Sequence, residues 1–292
     1  MDEAGNSSHR WTVVLGSTLR ALRSWPAAIG APLVQTLDLA MSVSDPARIV
    51  MTLAAPDLLD ARLAHPALSL GRVLREPADR GTACSLFLAL RYIQAADPDA
   101  LIVVLPADHF VHPPRAFSAR VIAALEAARR IHRMVILGVA PTTLETPHGW
   151  ILPGSPMARV SQLEVRRVEV CIDQPGRDLA TLMRDTGGLW STLILAAPLE
   201  RLWASGRRCL PEVLAALDSF SDVAGTPLEQ SWLEATYDRL PHRSIASHFL
   251  HRLGEELAVA ELEEVSWCDW DCSRRILDAL HEAGDLPLTA GP

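Results

Sequence analysis

Two short stretches carry acidic residues at positions where a sheet would deliver them to a ligand. In Leu101–Phe110 (LIVVLPADHF) an unbroken apolar run is halted by Pro106, and Asp108 and His109 follow. Near the other end, Val265-Ser266-Trp267-Cys268-Asp269-Trp270-Asp271 sets two carboxylates among aromatic residues. Ligands of open parallel sheets bind beyond the carboxyl ends of the strands, the edge on which Asp108 falls. A carboxylate there can hold magnesium, which takes only one or two protein carboxylates and fills its shell with water and phosphate oxygens. Plainer roles fit the same spacing: Asp108 as a helix N-cap or loop carboxylate, Asp269 or Asp271 as the cap of a last helix. A strand-end Asp from each half of an α/β fold is also the arrangement that magnesium sites use for phosphate chemistry.

Composition removes other chemistries. The 292-residue chain has no lysine, so its 27 basic residues are all arginine, set against 35 acidic ones for a net charge of −8. Schiff bases, P-loop lysines and Ser–Lys dyads are thereby excluded. The acidic balance argues against nucleic acid as a partner. Cys84, Cys171, Cys209, Cys268 and Cys272 are odd in number and are expected to be reduced. Cys268 and Cys272 stand one helical turn apart but lack the second pair of a zinc site. No apolar run approaches the ~18 residues of a membrane span, and the polar start Met1–Ser8 lacks the apolar core of a signal peptide. The expectation is a cytoplasmic protein.

The apolar pattern predicts the elements that must position these residues. Apolar runs at Trp11–Leu15, Ile49–Leu53, Leu101–Leu105 and Met134–Val139 read as buried strands, and Arg72–Arg75 (RVLR) as a further short one stopped by Glu76-Pro77. Helices are predicted over Thr82–Ala96 and Ala116–Ile131, the latter with Phe117, Val121, Leu125 and Ala128 on one face. Apolar strands alternating with helices belong to a parallel sheet covered on both sides. After Pro141 the character becomes mixed. Strands are predicted at Gly149–Leu152, Val165–Ile172, Leu189–Ala196 and Leu257–Trp267. Helices are predicted at Arg177–Thr186, Pro198–Ser205, Pro211–Leu217, Leu228–Tyr237, Ile245–Leu253 and Ser273–Ala283. The fold class is therefore α/β, a three-layer Rossmann-like arrangement with a mainly parallel central sheet, helices on both faces and a smaller mixed part. Residues 1–9 and 287–292 are expected to be tails around one domain spanning 10–286, with halves 10–140 and 141–286.

Six pieces, in order, carry a resemblance. They are Glu76-Pro77-Ala78-Asp79-Arg80-Gly81-Thr82-Ala83, then LIVVLPADHF, then Leu137–Pro141 with His148-Gly149-Trp150-Ile151, then Asp173-Gln174-Pro175, Leu189-Trp190-Ser191-Thr192 and Val265–Trp270. Together they resemble mannose-1-phosphate guanylyltransferases across roughly residues 10 to 282. The resemblance implies a sugar-phosphate nucleotidyltransferase fold, with residues 10–140 as the nucleotide half and 141–286 as the sugar half. It implies transfer of a nucleotidyl group from GTP or another nucleoside triphosphate to a sugar 1-phosphate, releasing pyrophosphate and giving a nucleotide sugar. Matched positions put Mg2+ on Asp108 and Asp269. Gly16, Arg80, Gly81 and Thr82 would serve the nucleotide, and Gly149, Asp173 and Ser191 the sugar. A homo-oligomer or a partner enzyme is a further expectation.

The chain also departs from the family. The family's signature Gly-Gly-x-Gly-Thr-Arg-Leu follows its first strand, and glycine lets backbone amides wrap the triphosphate. Here Gly16-Ser17-Thr18-Leu19-Arg20-Ala21-Leu22 stands instead, about four residues shorter. Thr18 falls on the signature arginine, and Arg20 is the candidate replacement. Lysines of the family appear as Ala27 and Gln174, and an asparagine as Ser191. A lysine-to-arginine bias would have kept the charge. Losing one preorganised donor costs about 3–4 kcal/mol. A non-catalytic binder of nucleotide or nucleotide sugar, with a regulatory or scaffolding role, is therefore the alternative reading.

Overall fold

The computed structural model describes residues 9–16, 30–54, 66–142, 144 and 148–269. Nine strands form one sheet in the order β3-β2-β1-β4-β9-β6-β10-β8-β7. They are β1 (Arg10–Leu15), β2 (Ile49–Ala54), β3 (Arg72–Glu76), β4 (Leu101–Pro106), β6 (Met134–Val139), β7 (Trp150–Val160), β8 (Leu163–Ile172), β9 (Leu189–Pro198) and β10 (Leu257–Glu261). β5 (His109–His112) and β11 (Ser266–Asp269) make a separate two-stranded antiparallel sheet. β1 pairs parallel with β2 and β4, β2 with β3, and β6 with β10. β9 enters antiparallel between β4 and β6, and β8 is antiparallel to β7 and β10. The sheet is thus mainly parallel, with β8 and β9 running against the rest.

Successive residues of the central strands serve opposite faces, as the period-two geometry requires. Val13 and Leu15 enter one apolar cluster and Val14 the other; Ile102 and Val104 enter the first, Val103 and Leu105 the second. Burial on both faces explains why these strands read as uninterrupted apolar runs. One face is covered by α3 (Thr82–Ala96), α6 (Leu199–Cys209), α7 (Pro211–Leu217), α8 (Phe220–Val223) and α9 (Glu229–Tyr237). The other is covered by α1 (Gly30–Val43), α4 (Pro114–Ile131) and α5 (Arg177–Asp185), with α2 (Pro66–Leu70) beside them. Phe87, Phe117, Trp150 and Phe220 are fully buried, and each such side chain contributes about 1.5–3 kcal/mol by leaving water.

Three expectations need correction. The strand expected at Gly149–Leu152 continues to Val160, kept in the sheet by register shifts around Pro153 and Pro156. The helix expected at Ile245–Leu253 is only α10 (Ile245–His248), followed by separate single turns at Leu250–Arg252 and Gly254–Glu256. The strand expected at Leu257–Trp267 is cut into β10 and β11 by a turn in which Glu264 has φ +60°. The elements α1 and β5 have no counterpart among the predicted ones. The helix expected at Ser273–Ala283 lies outside the described residues, as do 287–292 and all of the expected 1–9 tail but His9, whose ring hydrogen-bonds to Asp97 at 2.9 Å.

Candidate functional site

A cleft of about 270 Å³ opens where β4 and β8 end and β7 and β9 begin. β4 finishes at Pro106, and the following turn delivers Asp108, whose side chain is only 14% exposed. β5 then pairs with β11 so that Asp269 stands opposite His109. This register carries an acid from near the chain's far end to the edge that holds Asp108, and both carboxylates line the cleft.

The opposite wall is built by the junction of β6, β7 and β9. Ser191 pairs with Gly138, its amide donates to the Gly149 carbonyl at 2.8 Å, and Trp150 pairs with both Trp190 and Ile172. That pairing sets Asp173, just past Ile172, beside Gly149 and Ser191. A Cβ on Gly149 would come within 3.3 Å of Ser191 Cβ and 3.9 Å of Asp173 Oδ1, so a side chain there would press on Ser191. Asp173 Oδ2 accepts from the Ser247 hydroxyl. Ser191 Oγ has no hydrogen-bond partner among the described residues. Thr192 holds the local bulge: its hydroxyl donates to the Leu137 carbonyl at 2.7 Å and accepts from the Ile194 amide at 3.2 Å, next to Leu193 at φ +58°.

Aromatic rings form the floor. Trp267 meets His109 edge-on at 5.0 Å, and His148 lies 4.9 Å from Trp190 and 5.7 Å from Trp267, between ring centroids. Burial pushes the His109 imidazole down to about 3, with His148 adding to the effect, so the ring is neutral at ordinary pH. Among the described lining residues three are aspartates and none is an arginine. Sequence reasoning assigns none of His148, Ser244, Ser247 and Trp267 to the site. From sequence His148 reads as a turn residue and Trp267 as core or pocket wall.

Other predicted site residues are elsewhere. Arg80, Gly81 and Thr82 precede or open α3 and do not line this cleft; they grip the segment from Tyr237 to Ile245. Arg80 Nε donates to the Tyr237 carbonyl at 2.7 Å, the Arg243 amide to the Arg80 carbonyl at 2.8 Å, and the Ile245 amide to Thr82 Oγ1 at 2.9 Å. Gly81 has φ +86°, and a Cβ on it would lie 2.3 Å from the Arg243 carbonyl oxygen. Gly16 is packed against β2, where a Cβ would meet the Thr52 carbonyl oxygen at 2.4 Å, so its lack of a side chain is explained by strand packing. Arg20 lies outside the described residues, as do Asp271 and Cys272.

The two carboxylates are hard oxygen donors of the kind magnesium prefers. No group of three or more His, Cys, Asp or Glu able to cage a metal occurs among the described residues. By their chemistry alone, two such carboxylates would leave most of the shell of an ion held there to water and a phosphate ligand.

The mainly parallel sheet between helical layers, with a cleft at the strand ends, is a three-layer Rossmann-like α/β fold. No protein-family model matches the chain. It is 24% identical over 212 residues to a mannose-1-phosphate guanylyltransferase of Sinorhizobium fredii, a match covering 70% of this chain and 40% of that protein. It is 30% identical over 181 residues to the xanthan biosynthesis protein XanB of Xanthomonas campestris, covering 60% of this chain and 35% of that one. A crystal structure from Thermus thermophilus, described as a mannose-1-phosphate geranyltransferase, superposes with a TM-score of 0.74 at 25% identity, covering 96% of this chain and 80% of the other. The chain is similar to these proteins and shares the fold of the Thermus thermophilus structure, and it spans less than half the length of the two curated relatives.

Proposed function

We propose that the chain is a sugar-phosphate nucleotidyltransferase of the mannose-1-phosphate guanylyltransferase type, turning over slowly. The observation that carries this reading is the β5–β11 register, which brings Asp269 to the cleft edge that already holds Asp108. Asp108 and Asp269 would hold Mg2+, which when bound neutralises phosphate charge and aligns the phosphates. Asp173 keeps one oxygen on Ser247 and turns the other toward the Gly149 side, where a sugar hydroxyl can donate to it. Held in this way, an oxygen of the sugar phosphate attacks the α-phosphorus in line. The bond to the β-phosphate breaks, and pyrophosphate leaves. The protein's contribution is position and charge.

A second reading, a binder without turnover, is favoured by a specific observation. Arg80 is committed to the Tyr237 carbonyl, and no arginine stands among the described lining residues. Pyrophosphate release, measured with GTP, ATP, UTP and dTTP against mannose 1-phosphate and other sugar 1-phosphates, decides between them. The expected result is turnover that disappears in Asp108→Ala. No turnover above that variant in any pairing, together with calorimetric binding of GTP or GDP-mannose, transfers the conclusion to the second reading.

A further inference from the structure

His148 stands where the two sheets meet. It immediately precedes Gly149 and β7, and it is 8% exposed. Its ring packs on Trp190 of β9, in the nine-stranded sheet, at 4.9 Å with an interplanar angle of 48°. It also meets Trp267 of β11, in the two-stranded sheet, at 5.7 Å and 64°. Its Nδ1 lies 3.6 Å from Asp269 Oδ2. Among the described strands β11 pairs with β5 alone, and Asp269 is its final residue. Pairing fixes where the Asp269 backbone is; it leaves the aim of the carboxylate to the side chains around it. An imidazole clamped between two indoles loses rotational freedom before any ligand arrives. A carboxylate beside it then has a fixed neighbour to orient against, as outer groups do around metal-ligating side chains.

We propose that His148 is the positioning residue for Asp269, locking that carboxylate to the main sheet so that the cleft is preset for a divalent cation. The proposal rests on the reading of Asp108 and Asp269 as the cation's ligands and adds a residue to it. It acts through Asp269 and not through substrate.

The test is Mn2+ binding to the full chain, with and without GTP, followed by calorimetry and by the electron paramagnetic resonance of free Mn2+. His148→Phe keeps a ring between the two tryptophans and removes the nitrogen. His148→Asn returns a nitrogen close to the position of Nδ1. The expected result is a native-like thermal midpoint for His148→Phe, Mn2+ affinity weakened about 10- to 100-fold, and most of that affinity regained in His148→Asn. Unchanged affinity in His148→Phe, or equal weakness in both variants, overturns the proposal. If His148→Phe does not fold, a Mg2+ titration of the native chain followed at the His148 15N resonances takes its place: a saturable shift is expected, and unmoved resonances overturn the proposal. Native binding with no effect of His148→Phe removes this inference alone. A native chain that binds no divalent cation in either condition removes the metal reading together with it.

Discussion

Gly81 shows how a single residue type is dictated by a contact far away in sequence. Its φ of +86° and the Arg243 carbonyl 2.3 Å from a would-be Cβ leave no room for any other side chain. Gly81→Ala combines a left-handed backbone with a clash against main chain, so a loss of about 2–4 kcal/mol is expected in urea unfolding. Cys84, fully buried a few residues on, makes a different prediction. Burial above all, and then Glu76, pushes its thiol up to about 12 from the ordinary 9.0. The unfolded chain therefore releases this proton from about pH 9 upward while the folded chain keeps it. The stability owed to this group is whole below pH 9 and is lost as pH rises toward 12, by at most about 1.4 kcal/mol per pH unit. Urea midpoints measured between pH 8 and 10.5 should fall more steeply for the native chain than for Cys84→Ala. Parallel slopes would contradict the assignment.

Among the elements, the end of β3 is tied to α3 and α9 by one buried carboxylate. Glu76, 1% exposed, accepts from the Ser85 hydroxyl at 2.9 Å and from the Tyr237 hydroxyl at 2.8 Å, and Tyr237 stands 161 residues away in sequence. Burial and the Glu76 charge hold the Tyr237 hydroxyl well above its usual range, so it remains a donor. Tyr237→Phe removes that donor, and a loss of about 1–3 kcal/mol is expected in urea unfolding. Contacts of this range also mark what the sequence could and could not show. The strands of the first half were legible because burial on both faces leaves uninterrupted apolar runs. β5 was not, because HFVH is four residues long and half histidine, and its strand character comes from pairing with β11. α1 has no acidic or basic end signal, and its buried positions spread from Leu33 to Val43 over a broad face. Asp108, Gly149, Asp173, Ser191 and Asp269 were matched through ordered motifs, and the structure brings them to one cleft. The engagement of Arg80, Gly81 and Thr82 with the Tyr237–Ile245 segment was illegible because nothing local encodes it.

At the scale of the whole molecule, the cleft is lined from both sheets, and the rings of His148 and Trp267 pack against each other where the sheets meet. No helix among the described residues is long and apolar enough to cross a membrane. The matches to longer curated relatives and to the Thermus thermophilus structure agree with the sheet order in assigning the fold. That order has a consequence for birth on the ribosome. β9, residues 189–198, fills the slot between β4 and β6, which are made more than fifty residues earlier. Until it emerges, the nascent chain carries two facing rows of unpaired amides and carbonyls in the middle of its future core. Such open edges invite strand addition from neighbours, and long-range insertion of this kind is slow.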